Sequence, residues 1–275
     1  MGLDNYSGVK EINGIEVYYE YYKHAHSKET IVLLHGFLSS TFSFRRVIPL
    51  LIKDYNVISV DLPPFGKSGK SSTFIYSYVN MAETVIRLLE MITVNEVILM
   101  GHSMGGQISL NVVNNRPDLV KKNILLCSSA YLKKAKLPLI FTSYIPFFHL
   151  YVKLWLQRSG VKNNLKNVVY DHSLIDEEMM YGYLSPFLED DIFKALTKMI
   201  RHREGDLPAK VLKQIKTPSL LIWGEHDKVV PLNVGKRLNN DLQHSDLVIL
   251  KNTGHLVPEE RPEDVLSYTR EFISS

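Results

Sequence analysis

Six short runs of consecutive apolar residues, each about as long as a β-strand, constrain the fold of this chain more than any other feature. Their residues are apolar at successive positions and often β-branched, so both faces of each strand must be covered. Parallel strands flanked by helices meet that requirement, and the pattern predicts an α/β fold with a mostly parallel central sheet. The runs are Ile31–Leu34, Val57–Val60, Val97–Met100, Ile124–Leu126, Leu220–Trp223 and Val248–Leu250.

The segments between several of these runs carry apolar residues at three- and four-residue spacing, which is typical of amphipathic helices. This spacing predicts helices over Phe42–Lys53, Tyr76–Met91 and Met104–Asn115. A last helix is predicted over Pro262–Ser274, because proline followed by two acidic residues favours the first turn of a helix.

Two segments depart from this alternation of strands and helices. Val9–Tyr22 alternates apolar and polar residues around an Asn-Gly pair, which predicts an antiparallel hairpin at the edge of the sheet. Residues 131–205 contain aromatic-rich and helix-like stretches without a core strand. We therefore expect a core formed by residues 1–130 and 206–275, with a helical cap, or lid, inserted at residues 131–205.

Composition and charge exclude several classes of protein. The 275 residues carry a net charge of +3, and the basic residues form no stripe of the kind that binds nucleic acid, so no nucleic-acid partner is expected. A single cysteine, Cys127, excludes an internal disulfide and a multi-cysteine zinc site, and its apolar surroundings indicate a small buried residue. Because the first residues lack the apolar stretch of a secretory signal, the cytoplasm is the expected location.

One apolar segment requires a membrane test. Leu137–Val152 has no formal charge and is rich in aromatic residues, but it is shorter than the roughly 20 residues of a spanning helix and contains two prolines. We expect no membrane span here, and either an apolar lid over a pocket or an interfacial patch. Aromatic side chains of this region are predicted to line the pocket, with packing inside the cap as the alternative. They are Phe141, Tyr144, Phe147, Phe148 and Trp155.

A G-x-S-x-G pattern at residues 101–105 lies between a predicted strand and a predicted helix. A sharp turn at this place strains the central serine and lifts its hydroxyl off the sheet edge, while Gly101 and Gly105 leave room for the turn. The start of the helix also favours developing negative charge. The pattern therefore predicts that Ser103 is a nucleophile.

A serine hydroxyl needs a base to become a good nucleophile. Asp227 follows the fifth apolar run and His255 follows the sixth, so both lie where parallel strands place functional groups. The chain order Ser103, Asp227, His255 matches the serine, acid, histidine order of one triad fold. Glu225 remains an alternative acid, and His226 is a weaker candidate than His255 for the base.

Acyl transfer also needs hydrogen-bond donors for the oxyanion. The backbone N–H groups of Met104 and Phe37 are the candidates, because Met104 follows the nucleophile and Phe37 lies in the loop after the first apolar run. His35 is expected either to brace this loop or to be a buried structural histidine. The side chain of His102, beside Ser103, is expected to point away from the nucleophile.

Five segments together resemble the α/β-hydrolase superfamily, particularly its capped serine carboxylesterase and lipase-like branch. They are LLHGF, DLPPFGKS, GHSMGG, WGEHDKVVP and TGHLVPEERPE, and the resemblance covers nearly the whole chain. It implies a triad of Ser103, Asp227 and His255 with Phe37 and Met104 as oxyanion donors. It also implies that no metal and no organic cofactor is needed.

The resemblance implies a serine hydrolase that cleaves carboxylic esters, and the apolar cap favours small to medium apolar or aromatic acyl groups. The expected partner is therefore a small-molecule ester; the oligomeric state is left open. A carbon–carbon bond or lactone hydrolase with the same triad is one alternative, although the HGF loop lacks the Gly-Pro-Gly pattern common in carbon–carbon hydrolases. A non-catalytic ligand receptor is another. A serine nucleophile disfavours the epoxide-hydrolase and haloalkane-dehalogenase branches.

Overall fold

A twisted sheet of eight strands runs through the computed structural model, which describes residues 4–275. The first three residues of the predicted core lie outside this range. Numbered along the chain, the strands lie in the sheet in the order 1-2-4-3-5-6-7-8. Strands 3 to 8 are parallel to one another. The strands are β1 (Asp4–Ile12), β2 (Ile15–Lys23), β3 (Thr30–Leu34), β4 (Asn56–Val60), β5 (Val97–His102), β6 (Val120–Leu126), β7 (Ser219–Gly224) and β8 (Ser245–Leu250).

The six predicted apolar runs all lie within β3 to β8, which confirms the α/β fold with a mostly parallel sheet. Every residue of β3, β5 and β7 is buried, as expected for strands that are covered on both faces. β8 is only partly buried because it forms the edge of the sheet.

The predicted hairpin at the opposite edge is confirmed and is longer than expected. β1 and β2 pair antiparallel along nine residues each, from Asp4 opposite Lys23 to Ile12 opposite Ile15. Asn13 and Gly14 both have positive φ angles, of 54° and 76°, which is the geometry of a tight hairpin turn. β2 then joins the parallel strands by pairing antiparallel with β4.

Helices fill the connections between the strands. Two predicted helices, Met104–Asn115 and Pro262–Ser274, have the predicted bounds, and the helix predicted from Tyr76 begins two residues later because Ser77 caps it. The helices are α1 (Ile48–Leu51), α2 (Tyr78–Met91), α3 (Met104–Asn115), α4 (Leu137–Thr142), α5 (Phe148–Ser159), α6 (Val161–Val168), α7 (Glu177–Leu184), α8 (Asp191–His202), α9 (Ala209–Leu212), α10 (Leu232–Asp241), α11 (Val257–Glu260) and α12 (Pro262–Ser274).

The prediction of one helix over Phe42–Lys53 is wrong. The chain forms a short 3-10 helix at Thr41–Phe44 and then the separate helix α1. Pro49 explains the interruption, since it has no N–H to donate to the carbonyl four residues earlier, at Arg45. Proline is tolerated in the first turn of α1, which is where it lies.

The segment between β6 and β7 is mostly helical, as the sequence predicts, and contains α4 to α9. Lys133 and Gly205 form an antiparallel bridge, so the two ends of this segment lie side by side. α5 packs against α8. Among the described residues, no helix is both long enough and apolar enough to cross a membrane.

Candidate active site

Ser103 lies at the sharp turn between β5 and α3, with φ at 52° and ψ at −117°. A side chain at Gly105 would collide with the backbone oxygen of Leu34, and one at Gly101 would collide with the backbone of α3. The two glycines therefore permit the close approach of helix and strand that the turn requires. The Ser103 hydroxyl stands at the carboxyl end of the sheet, where the residue is partly exposed.

Asp227 and His255 form a direct hydrogen bond, with 2.7 Å between Asp227 Oδ2 and His255 Nδ1, and both side chains are buried. The second carboxylate oxygen of Asp227 accepts hydrogen bonds from the backbone N–H groups of Val229 and Val230, each at 2.8 Å. Burial opposes ionisation of Asp227, but the hydrogen bonds from His255 and the backbone outweigh it and lower the pKa of the carboxyl group. Asp227 is thus a charged group held in place beside the imidazole.

Glu225, the alternative acid, has a different environment. Nearly half of its side chain is exposed, and its carboxylate lies 3.7 Å from Nε2 of His226. The ring of His226 stacks on Tyr170 at 4.6 Å between centroids. The structure therefore brings Asp227, and not Glu225, to His255.

His102 has a contact that the sequence does not reveal. Its Nε2 donates to the backbone oxygen of His255 at 2.8 Å, and the two rings are 4.8 Å apart. Burial, and secondarily the neighbouring His255, lower the pKa of His102 to about 3, so the ring is neutral. The sequence predicts only that the His102 side chain points away from the nucleophile. It does not indicate the contact with His255, because the two residues are 153 positions apart along the chain.

The loop that carries His255 is also bound to the helical segment between β6 and β7, the predicted cap. The backbone N–H of His255 donates to the carbonyl oxygen of Val168, at the end of α6, at 2.7 Å. The carboxylate of Glu260 accepts hydrogen bonds from the backbone N–H groups of Gly254 and Tyr170. The helical segment between β6 and β7 and the histidine loop are therefore held together by a backbone hydrogen bond and by the Glu260 carboxylate, contacts that no local sequence pattern indicates.

The loop after β3 passes directly beside Ser103. A Cβ atom placed on Gly36 would lie 3.2 Å from the Cβ atom of Ser103. Within residues 4–275, the N–H groups of Phe37 and Met104 donate to no other protein group, so both are available to a ligand. Their role as the two oxyanion donors stays a prediction.

His35 braces this loop, as one of the two sequence interpretations predicts. Its Nδ1 donates to the backbone oxygen of Gly36 at 2.8 Å, and its Nε2 accepts from the backbone N–H of Leu62 at 2.9 Å. Burial lowers the pKa of His35, which keeps the ring in the neutral form that this pair of contacts requires.

His102 links Ser103 to His255. It precedes Ser103 in the chain, and its ring contacts the ring of His255. Over the described part of the chain, the Ser103 hydroxyl and His255 Nε2 are not hydrogen bonded to each other. Catalytic hydrogen bonds are often long without substrate and shorten when it binds. Proton transfer from Ser103 to His255 therefore stays a prediction.

Cys127 is buried next to the Asp227–His255 pair, as the sequence predicts for a small buried residue. The potential ligand atoms of these three residues lie within 4.8 Å of one another. Burial raises the pKa of the thiol well above its ordinary value, so it stays protonated and is a poor metal ligand. Asp227 Oδ2 is already bonded to His255, so the cluster fits an acid–histidine pair better than a metal centre.

The side chains predicted to line a substrate pocket are on α4, α5 and the turn between them. Four of them are 61 to 72% exposed, and the fifth, Phe148, is partly exposed. The ring of Tyr144 lies 4.1 Å from the guanidinium of Arg201. Their role in a pocket over the nucleophile stays a prediction. The exposed four are Phe141, Tyr144, Phe147 and Trp155.

A cavity of about 670 Å³ lies elsewhere, between β2, the 3-10 helix after β3 and the cap. Its lining includes Phe42, Arg45, Asp61 and Glu189, and contains neither the predicted pocket residues nor the acid–histidine pair. It is therefore separate from the candidate active site.

Comparison with known proteins assigns the family. A model of the family described by its alpha/beta hydrolase fold matches residues 29–262. The chain belongs to the alpha/beta hydrolases. An uncharacterized hydrolase of Bacillus subtilis strain 168, YugF, is 55% identical to this hydrolase over 262 residues, which cover 95% of this chain and 96% of the relative.

Two further comparisons concern proteins that are named as hydrolases. A 2-hydroxy-6-oxononadienedioate/2-hydroxy-6-oxononatrienedioate hydrolase of Paraburkholderia phymatum is 29% identical, covering 91% of this chain and 88% of the relative. The crystal structure of a 2-hydroxy-6-oxo-6-phenylhexa-2,4-dienoate hydrolase from Rhodococcus superposes with a TM-score of 0.82 at 20% identity over all of both chains, a likeness of fold. The chain is thus a hydrolase, and a non-catalytic receptor loses its support.

Proposed function

We propose that this hydrolase cleaves carboxylic esters through a covalent acyl-enzyme formed on Ser103. The observation that carries the proposal is the buried 2.7 Å hydrogen bond between Asp227 and His255, at the sheet edge where Ser103 occupies a strained turn. An imidazole anchored by a charged acid, at the same end of the sheet as a strained serine, is suited to nucleophilic acyl transfer.

In this mechanism His255 accepts the Ser103 proton as the serine oxygen attacks the ester carbonyl. Asp227 keeps the Nδ1 proton of His255 in place, so that Nε2 is free to act as the base, and it stabilises the imidazolium that forms. The N–H groups of Phe37 and Met104 stabilise the oxyanion. His255 then protonates the departing alcohol, and a water that it activates hydrolyses the acyl-enzyme. The protein groups alone move the protons, so no metal or organic cofactor is assigned.

We further propose that residues 131–205 act as a cap that selects the substrate. The cap's contact with His255, through the carbonyl oxygen of Val168, supports a direct influence of the cap on the catalytic histidine. The predicted aromatic lining favours small to medium apolar or aromatic acyl groups. The proposal includes a cytoplasmic location.

A carbon–carbon bond hydrolase is the second candidate. The relative from Paraburkholderia phymatum, at 29% identity, is named for a dienedioate substrate of that reaction class. The same serine, histidine and acid would serve there, since both reactions add water across a bond to a carbonyl carbon. Lactones, as cyclic esters, would follow the ester mechanism.

A substrate panel separates these candidates. We expect hydrolysis of p-nitrophenyl esters, with a preference for short or medium acyl chains, and little turnover of a vinylogous 1,5-diketone. Ser103→Ala should abolish the ester activity, while Ser72→Ala, at an exposed serine, should leave it unchanged. Faster turnover of the diketone than of every ester, lost in Ser103→Ala, would replace the ester proposal with the second candidate.

A further inference from the structure

The cap exposes an apolar face along α5. Leu150, Tyr151, Leu154 and Trp155 follow the spacing of one helix face and are 47 to 62% exposed. The opposite side of α5 packs inside the molecule, because Val152 contacts the main hydrophobic core and α5 lies on α8. The exposed face is thus additional to the one that holds the helix in the fold.

Exposed apolar side chains also occur on α4 and in the turn that leads into α5, and both helices pack on α8. Leu137 and Phe141, four residues apart on α4, are exposed, as are Tyr144, Ile145 and Phe147 in the turn. Globular monomers seldom leave so many large neighbouring apolar side chains in water. We call this surface, residues 137–155, the apolar cap surface. Its exposure indicates that a binding partner, either a membrane or another protein molecule, covers it.

The charged residues near the apolar cap surface restrict the kind of partner that it can bind. Residues 131–170 contain seven Lys and Arg and no Asp or Glu, whereas the whole chain has 32 basic and 29 acidic residues. Outside this segment the chain therefore carries more acidic than basic residues. The fold brings a carboxylate to Lys153, which pairs with Asp190 at 2.6 Å. The seven cations are Lys133, Lys134, Lys136, Lys153, Arg158, Lys162 and Lys166.

The cations border the apolar cap surface at both of its ends. Lys134 and Lys136 immediately precede α4, and Arg158 and Lys162 follow the exposed face of α5; all four are exposed. Aromatic and aliphatic side chains enclosed by lysine and arginine are typical of proteins that lie on anionic lipid, with the rings at the level of the headgroups.

We propose that the apolar cap surface docks on a bilayer that contains anionic phospholipid. Its apolar side chains would enter the boundary between headgroups and acyl chains, and the bordering cations would contact lipid phosphates. A second copy of the chain is a poorer fit, because a symmetric dimer would bring the same cationic border against itself. The proposal concerns binding alone and is independent of the ester mechanism. It assigns Phe141, Tyr144, Phe147 and Trp155 to the lipid and so replaces the prediction that these exposed side chains line the substrate pocket.

Vesicle sedimentation with the full chain tests this proposal. We expect the protein to sediment with vesicles of phosphatidylglycerol and phosphatidylcholine and to stay in the supernatant with phosphatidylcholine alone. Raising NaCl from about 0.05 M to about 0.5 M should weaken binding, because salt screens the cations. The combined variant Leu137→Gln, Leu150→Gln, Leu154→Gln should lower the partition coefficient at least about tenfold, since three exposed leucines no longer enter the lipid.

Two matched controls distinguish binding through the apolar cap surface from nonspecific binding to vesicles. Ile75→Gln, Val79→Gln, Met91→Gln changes three equally exposed apolar residues outside the cap and should leave binding unchanged. Lys133→Gln, Lys134→Gln, Lys136→Gln should weaken binding more than the same change at three exposed lysines of the core. Those core lysines are Lys216, Lys236 and Lys251.

Several results would overturn the proposal. They are the absence of sedimentation with anionic vesicles, equal binding to phosphatidylcholine alone, and a leucine variant that binds as well as the control variant. A dimer in analytical ultracentrifugation that the leucine variant dissociates, with no vesicle binding, would assign the surface to a second copy instead. Circular dichroism of each variant confirms that a loss of binding does not reflect unfolding.

Discussion

The side chain of His102 holds the backbone of His255, through a hydrogen bond of 2.8 Å from Nε2 to the carbonyl oxygen. This contact joins the turn that carries Ser103 to the loop that carries the imidazole. The two loops come from strands β5 and β8, which are separated in the sheet by β6 and β7. We therefore predict that His102 positions His255.

Replacing His102 tests this role. His102→Leu should lower kcat for an ester by about 10- to 100-fold, because a misplaced imidazole accepts the Ser103 proton poorly, while KM changes little. His102→Gln should recover part of the loss, since its amide can donate from about the position of Nε2. His226→Gln, at an exposed histidine, is the control. Equal losses in the Leu and Gln variants would argue against the hydrogen bond as the cause.

Replacing the acids tests the choice between Asp227 and Glu225. Asp227→Asn should lower kcat by about 10⁴-fold, because the amide no longer stabilises the required tautomer of His255. Glu225→Gln should keep nearly full activity, since that side chain lies partly in solvent and does not contact His255. Steady-state kinetics on one ester measure both, and the reverse pattern would transfer the acid role to Glu225.

Glu259 should make the free energy of unfolding depend on pH. Burial raises its pKa to about 7, against the opposing effects of Arg45 and Arg46. Between about pH 4.5 and pH 7 the folded state therefore retains a proton that the unfolded state has lost. Stability from this group is fully present below pH 4.5 and is lost as pH rises through 7, by on the order of 2 to 3 kcal/mol.

Urea unfolding at several pH values measures this effect. The wild type should lose stability between pH 5 and pH 7 relative to Glu259→Gln, whose amide does not titrate. Glu263→Gln, at an exposed glutamate of α12, should follow the wild type. Parallel curves for the wild type and Glu259→Gln would show that the buried carboxyl group does not titrate in this range.

The thiol of Cys127 should be unreactive in the folded protein. It is fully buried, and burial raises its pKa, so little thiolate forms at neutral pH. Ellman's reagent should therefore label it slowly in buffer and rapidly in urea. Rapid labelling of the native protein would mean that the region beside Asp227 opens to solvent.

Much of the fold follows from local sequence patterns, for identifiable reasons. The apolar runs of β3, β5 and β7 predict central parallel strands because only such strands are buried on both faces. The bounds of α3 follow from the nucleophile turn on one side and a proline shortly after the helix on the other. Asp227 and His255 are predictable because each follows a strand whose end lies at the same sheet edge.

The features that were missed have one local cause and several long-range causes. The break before α1 is a local effect of Pro49 that the apolar spacing conceals. The bond from His102 to His255 and the bond from His255 to Val168 involve backbone atoms, which carry no residue-type signal. The aromatic cap residues are exposed although apolar, and a rule that places apolar residues inside cannot foresee this.

Labelling with a fluorophosphonate probe tests the central claim most directly, because the probe forms a covalent bond only with an activated serine. The wild type should be labelled on the peptide that contains Ser103, as read by mass spectrometry, and prior treatment with an ester substrate should slow the labelling. Ser103→Ala should not be labelled, and Ser72→Ala should be labelled like the wild type. Labelling that persists in Ser103→Ala, or that maps to another serine in the wild type, would contradict the account.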